Sequence, residues 1–189
     1  MSSKTIQGPA VTLIGCGFVA DLYMRSLQSV PHVQVVGAFD IDPDRAEAFC
    51  SHWGVTRFTA VEDIFATLPR DGVVLNLTNP DAHFDVNRAC LQAGFHTYSE
   101  KPLAMQMDQA RELHRLAAEK GLLLASAPCS VLGQAAQTLA YAVRHHIAGK
   151  PRFIYADLDD GFIPQAPVDS RITDSVPPWP FGYAFRVGF

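Results

Sequence analysis

The chain has 189 residues and a mass of 20.6 kDa, is 48% hydrophobic and 18% charged, and carries a formal net charge of -4 with seven His. That composition belongs to folded globular proteins and excludes disordered and collagen-like classes. A pI of about 5.9 with no run of Lys or Arg lacks the basic footprint of a nucleic-acid binder, and no apolar stretch approaches the roughly 18 residues of a membrane span.

The segment Met1 to Gly8 is polar and has no signal-peptide core. Cys16, Cys50, Cys90 and Cys129 are widely spaced with no C-x-x-C pair, which reads as reduced thiols in a cytoplasmic protein. The length allows one full domain and part of another.

From residue 10 the chain alternates short β-branched runs with helical patterns, the signature of an α/β fold with a doubly wound parallel sheet. Ala10 to Ile14 is the first expected strand. Phe18 to Gln28 carries apolar residues at helical spacing, and Val33 to Phe39 is a continuously apolar strand of the buried parallel kind. Pro43 to Trp53 reads as a helix with Pro in its first turn, Thr59 as the N-cap of a short helix through Leu68, and Gly72 to Leu77 as a strand. A helix over Asp81 to Ala93 is closed by Gly94, a strand runs from Phe95 to Tyr98, a helix from Met107 to Lys120 is closed by Gly121, and Leu122 to Ser126 is the last strand of the sheet. Gln134 to Ala148 is a further helix stopped by Gly149 and Pro151, followed by an alternating strand Arg152 to Asp159. X–Pro bonds follow Asn79 and Lys101, and the base rate favours the trans form for both.

The division is expected at residue 130, with 5–130 as the nucleotide-type domain and 131–189 as the opening of a second. Five of the thirteen prolines and six of the nineteen aromatics fall between Gly161 and Phe189. A lone strand with such a tail leaves unpaired edges and an uncovered face, so the second domain is expected to be incomplete. The aromatics Phe162, Trp179, Phe181, Tyr183, Phe185 and Phe189 would then form an interaction surface.

Gly15-Cys16-Gly17-Phe18-Val19-Ala20 is G-x-G-x-x-A between a strand and a helix. Gly15 permits the tight turn, Gly17 lets backbone approach a pyrophosphate, Ala20 allows close helix–strand packing, and the N–H groups from Gly15 to Val19 face the phosphates. Asp40 ends the second strand, where a carboxylate accepts hydrogen bonds from ribose hydroxyls. That favours NAD, while Arg45 keeps NADP open as a phosphate partner. Asp42 and Asp44 are better read as acidic residues at a helix start. Thr78-Asn79-Pro80 lies just past a strand end, at the edge where α/β folds bind ligands, with His83 in the next turn. Glu100-Lys101-Pro102 follows another strand at the same edge. Pro102 keeps Lys101 out of the α region, so its ammonium can reach the crevice as a proton donor or acceptor. No metal is implied.

The ordered set resembles one family. VTLIGCGFVADLYMRSL, VGAFDIDPDRAEAF and NLTNPDAHFDVNRACLQAGFHTYSEKPLAM, with N-P-x-x-H followed by A-G-x-H-x-x-x-E-K-P, look like the Gfo/Idh/MocA oxidoreductases, the glucose-fructose oxidoreductase and inositol dehydrogenase superfamily. The likeness covers about residues 10 to 160. It implies a Rossmann domain followed by the incomplete start of an α+β substrate domain. It also implies NAD(P)-dependent hydride transfer to or from a secondary alcohol of a sugar, cyclitol or sugar nucleotide, and a homo-oligomer where the second domain is complete. Lys101 matches the catalytic lysine, and Gly15, Gly17, Asp40, Thr78, Asn79, His83 and Glu100 match nucleotide-contacting positions. The family's second-domain Asp and His have no match, since Asp169 and Asp174 precede no His. Cys129 has no paired base. The alternative is a non-catalytic, dinucleotide-binding paralogue that works through a partner.

Overall fold

The computed structural model describes residues 8–127, 129–147, 149–155, 157–159 and 184–186. The chain divides into two compact units between Ala127 and Pro128.

The first unit is a six-stranded parallel sheet, β1 (Ala10–Ile14), β2 (Gln34–Phe39), β3 (Thr56–Arg57), β4 (Val73–Asn76), β5 (His96–Ser99) and β6 (Leu124–Ser126), in the order β3-β2-β1-β4-β5-β6. Five helices intervene: α1 (Phe18–Leu27), α2 (Pro43–Trp53), α3 (Val61–Thr67), α4 (His83–Ala93) and α5 (Met107–Lys120). This is the doubly wound Rossmann order, and it reverses direction between β1 and β4, where such sheets bind ligands.

Side chains alternate across the sheet, and helices cover both faces. Leu13, Ala38 and Leu75 pack with Ala20, Met24 and Phe49 from α1 and α2. Ile14 and Val74 pack with Ile64, Cys90 and Phe95 on the other face, and Leu91, Leu113 and Ala117 join α4 to α5. Burial on both faces is why these strands are nearly continuously apolar. The buried Thr12 hydroxyl is satisfied by donating to the Gly37 carbonyl at 2.9 Å.

Local chemistry sets the helix ends. Asp42 caps α2 by accepting from the Asp44 and Arg45 amides, and Gly54, Gly94 and Gly121 close α2, α4 and α5 in the left-handed region. The expected Thr59 cap takes a different form. The Asp63 carboxylate accepts from the amides of Thr59 and Ala60 and from the Thr59 hydroxyl, so the first turn of α3 is held from within.

The second unit contains a 3-10 turn (Cys129–Leu132), α6 (Gln134–Arg144) and the antiparallel pair β7 (Asp157–Asp159) and β8 (Ala184–Arg186). Two expectations are corrected here. The helix expected through Ala148 ends at Arg144, because the chain turns over 145–147 and His146 takes a positive φ of 53°. Among the described residues, the strand expected over Arg152 to Asp159 forms only at Asp157–Asp159, because an extended run becomes a strand only where a partner supplies hydrogen bonds. Phe162, Trp179, Phe181, Tyr183 and Phe189 of the expected aromatic surface, with Asp169 and Asp174, lie outside the described residues, as does the Phe185 side chain.

Cys16, Cys50 and Cys90 are buried free thiols. Burial pushes all three thiols up, Cys90 to about 12, with Asp40 adding to the effect at Cys16. An unfolded thiol ionises near about pH 8.5, so above that pH the unfolded chain sheds protons that the folded chain keeps. Stability contributed by the protonated thiols is intact below that point and falls as pH rises toward 12. The urea midpoint should therefore drop between about pH 8 and about pH 10.5, with a shallower slope in Cys90→Ala; a pH-independent midpoint would contradict this reading.

Candidate functional site

The sheet register assembles the site. Phe39, Ile14, Asn76, Ser99 and Ser126 lie on one rung across β2, β1, β4, β5 and β6. Just beyond that rung the ladder makes one more set of bonds: the amides of Gly15, Leu77, Glu100 and Ala127 donate to the carbonyls of Phe39, Ile14, Asn76 and Ser99 at 2.8–2.9 Å. Gly15, Asp40, Thr78 and Glu100 thus leave the sheet along a single carboxyl edge.

The two glycines of the first loop are demanded for different reasons. Gly15 has φ +98°, and a Cβ there would sit 2.7 Å from the Leu77 carbonyl carbon and oxygen. Gly17 has an ordinary backbone, and a Cβ on it would meet nothing within 4 Å. Gly17 is the N-cap of α1, and no side chain caps that end. Open space in front of uncapped amides at Phe18 and Val19 suits an anion approaching the backbone. Ala20 behind them is fully buried.

Asp40 is only 8% exposed. Its Oδ2 accepts from the Cys16 amide at 2.8 Å, and its Oδ1 accepts from the Asp42 amide at 2.9 Å. Arg45 donates to the same Oδ1 at 3.2 Å and pairs with Asp42 at 3.2 Å. Ile41 between them is 91% exposed, an apolar side chain at the mouth of the edge that sequence reasoning did not single out.

Thr78 and Asn79 form the corner after β4. The Thr78 hydroxyl donates to Asn76 Oδ1 at 2.7 Å. His83 opens α4 with 1% exposure, placing Nδ1 2.6 Å from the Pro102 carbonyl and Nε2 2.9 Å from the Thr78 carbonyl. A carbonyl oxygen only accepts, so a neutral ring donates to one of the two and the imidazolium to both. Either way the ring spans the Thr78 corner and the loop after β5 from within.

Glu100 Oε2 accepts from the Lys101 amide at 3.0 Å, and its Oε1 accepts from the Tyr23 hydroxyl at 2.7 Å. Tyr23, on α1, also touches Tyr98 edge-on with ring centres 6.1 Å apart. Burial, hydrogen bonding to Tyr98 and Glu100, and the Glu100 charge all push the Tyr23 phenol upward, so it stays a donor. Sequence reasoning read Phe18 to Gln28 only as apolar residues at helical spacing and did not single out Tyr23; an aromatic with a polar tip on that face was the available signal. Lys101 is exposed and, among the described residues, forms no ion pair. The Lys101–Pro102 peptide is cis, against the trans form its base rate favours. Among the described residues no cluster of three or more His, Cys, Asp or Glu could hold a metal, and no helix is long and apolar enough to cross a membrane.

The two glycines separate in a stability assay. Gly15→Ala should lower stability by about 2 kcal/mol or more, whereas Gly17→Ser, in N-cap geometry with room for its side chain, should stay within about 0.5 kcal/mol of the parent. Urea unfolding of both variants checks this, and equal losses would refute the distinction.

Comparison with known proteins gives this edge its family. The chain is 32% identical over 106 residues to the inositol 2-dehydrogenase/D-chiro-inositol 3-dehydrogenase of Lactiplantibacillus plantarum, covering 54% of this chain and 30% of that protein. It is 27% identical over 154 residues to the UDP-N-acetylglucosamine 3-dehydrogenase of Acidithiobacillus ferrooxidans, covering 82% of this chain and 46% of that one. The WlbA dehydrogenase from Bordetella pertussis, solved with NADH and UDP-GlcNAcA, shares the fold at TM-score 0.68 and 21% identity, over 74% of this chain and 42% of that one. The chain thus spans less than half the length of each. Residues 10–127 match the family model for oxidoreductases with an NAD-binding Rossmann fold, GFO_IDH_MocA, and the chain belongs to that family.

Proposed function

We propose that the chain is the nucleotide-binding portion, over residues 5–130, and the start of the substrate domain, over 131–189, of an NAD-dependent dehydrogenase. Its substrate would be a secondary alcohol of a sugar, cyclitol or sugar nucleotide, the classes named by the inositol and UDP-N-acetylglucosamine dehydrogenases it resembles. The observation that carries this reading is the uncapped start of α1 with open space at Gly17, on the same sheet edge as Asp40 and the Glu100-Lys101 loop. In keeping with its family and composition, the enzyme is taken as cytoplasmic, and as a homo-oligomer where its second domain is complete.

The amides from Gly15 to Val19 hold the pyrophosphate, with the positive end of α1 behind them. Asp40 accepts hydrogen bonds from the adenosine ribose. Its carboxylate disfavours a 2'-phosphate, and the neighbouring cation, Arg45, is already paired with Asp40 and Asp42, which supports NAD over NADP. Thr78, Asn79 and Glu100 line the middle of the edge, with His83 beneath them. A bound nicotinamide supplies the hydride acceptor or donor. Lys101 passes the accompanying proton to or from the substrate hydroxyl at its Nζ.

Titration of the folded chain with NADH and with NADPH should show saturable binding that favours NADH. Gly17→Ser should weaken it about tenfold, and Asp40→Asn should erode the preference while keeping an acceptor for the Cys16 amide. Binding of neither nucleotide would overturn the proposal. Lys101→Ala should leave NADH affinity within about threefold yet lower any polyol turnover by about 100-fold or more; unchanged turnover would remove the lysine from the chemistry.

A further inference from the structure

Behind the edge lies a polar core that neither the fold nor the proposed chemistry requires. Asn76, Asn87 and Ser99 are completely buried, on β4, α4 and β5. Asn76 Nδ2 donates to Asn87 Oδ1 at 2.8 Å and to the His83 carbonyl at 3.2 Å. Asn76 Oδ1 accepts from the Thr78 hydroxyl and, at 3.3 Å, from the Thr78 amide. Asn87 Nδ2 donates to Ser99 Oγ at 3.0 Å and to the Leu103 carbonyl at 3.2 Å, and Ser99 Oγ donates to the Glu100 carbonyl at 3.1 Å.

Both donors of each amide are spoken for, and each amide oxygen has at least one donor. The partners divide into two groups. Those of Asn76 belong to the corner after β4, at Thr78 and His83. Those of Asn87 belong to the loop after β5, at Ser99 and Leu103, with Glu100 reached through Ser99. The only side-chain bond between the two amides is the one from Asn76 to Asn87. An apolar pair would fill this space without the cost of burying four amide hydrogens, and a satisfied buried network earns that cost by selecting one arrangement of what it holds.

We propose that Asn76 and Asn87 are positioning residues that lock the Thr78-Asn79 corner and the Glu100 to Leu103 loop into one rigid unit, setting the separation at which a dinucleotide is gripped. The inference rests on the reading of this edge as a dinucleotide site. Neither amide touches the cofactor; each acts through the backbone of a loop that does. Asn87→Asp keeps the acceptor for Asn76 but loses the donors to Ser99 and Leu103, so it releases only the second loop, whereas Asn87→Ala also cuts the Asn76–Asn87 bond and leaves His83 as the remaining side-chain tie between the two loops.

The test combines hydrogen exchange with NADH titration on the full chain, at a temperature where far-UV circular dichroism shows each variant folded. In Asn87→Ala, the peptides covering 77–83 and 99–104 should lose protection together while α2 keeps its own, and NADH affinity should fall about tenfold. Asn87→Asp should loosen only 99–104. Ile64→Ala, a core truncation on α3, should cost stability without changing affinity, which separates positioning from general weakening. Should Asn87→Ala not fold, Ser99→Ala removes one contact of the same brace and decides the matter through the same two readouts. Variants that are folded, protected and as tight as the parent would overturn the proposal while leaving the dinucleotide site standing. A parent chain that binds neither NADH nor NADPH would bring down both.

Discussion

The last rung of the parallel sheet is the constraint from which the site follows. In a parallel ladder, a residue's position along its strand fixes where the chain leaves the sheet, and Phe39, Ile14, Asn76 and Ser99 are held level by direct pairing. Four chain exits therefore emerge side by side without any side chain having to arrange them. A slip of one residue in β4 would turn Asn76 out of its buried position and move the Thr78 corner away from Gly15. Packing on both faces prevents this, because the same slip would swap Val74 and Leu75 between two helix-covered cores that each is shaped to fill.

That dependence explains why so much was legible from sequence. The bounds of β1, α2 and α5 follow from alternation, a proline at a helix start and a closing glycine, all local signals. The site motifs were readable for the same reason, since each sits at the end of a periodic run. What escaped is what only tertiary pairing decides. β3 is two exposed residues, Thr56 and Arg57, with no periodicity to detect, and it exists because β2 offers it an edge. The run Arg152 to Asp159 has the alternation of a strand but, among the described residues, acquires one only over Asp157–Asp159, where Ala184–Arg186 lies opposite. At the site, the roles of Tyr23, Asn76 and Asn87 were invisible, because their partners are 77, 11 and 12 positions away in sequence.

The polar residues at the edge form two grades. Lys101 and Ile41 face outward, while His83, Asn76 and Ser99 spend their polar atoms on loop backbone and on neighbouring buried side chains. This division resembles the support that many binding sites give to their contact residues: the groups that meet a ligand are held in place by others that never do. Glu100 stands between the grades, tied to α1 through Tyr23 and to its own loop through the Lys101 amide. The helix α1 and the lysine-bearing loop are thereby linked directly as well as through the sheet.

Asp40 has a further consequence for how such a protein could change its cofactor during evolution. With Asp40 at the ribose as proposed, the obvious route to accepting a phosphorylated ribose is to remove this carboxylate, yet the same carboxylate anchors the amide of Cys16 in the glycine loop. Replacement by a residue with no acceptor would leave that buried amide unpaired and loosen the turn that opens α1, so under the proposed role of Asp40 specificity and grip are inherited together. Side chains that keep a short acceptor, such as Asn or Ser, offer the paths along which the one can drift without losing the other. The same step would take from Arg45 one of its two carboxylate partners and leave it the other, Asp42.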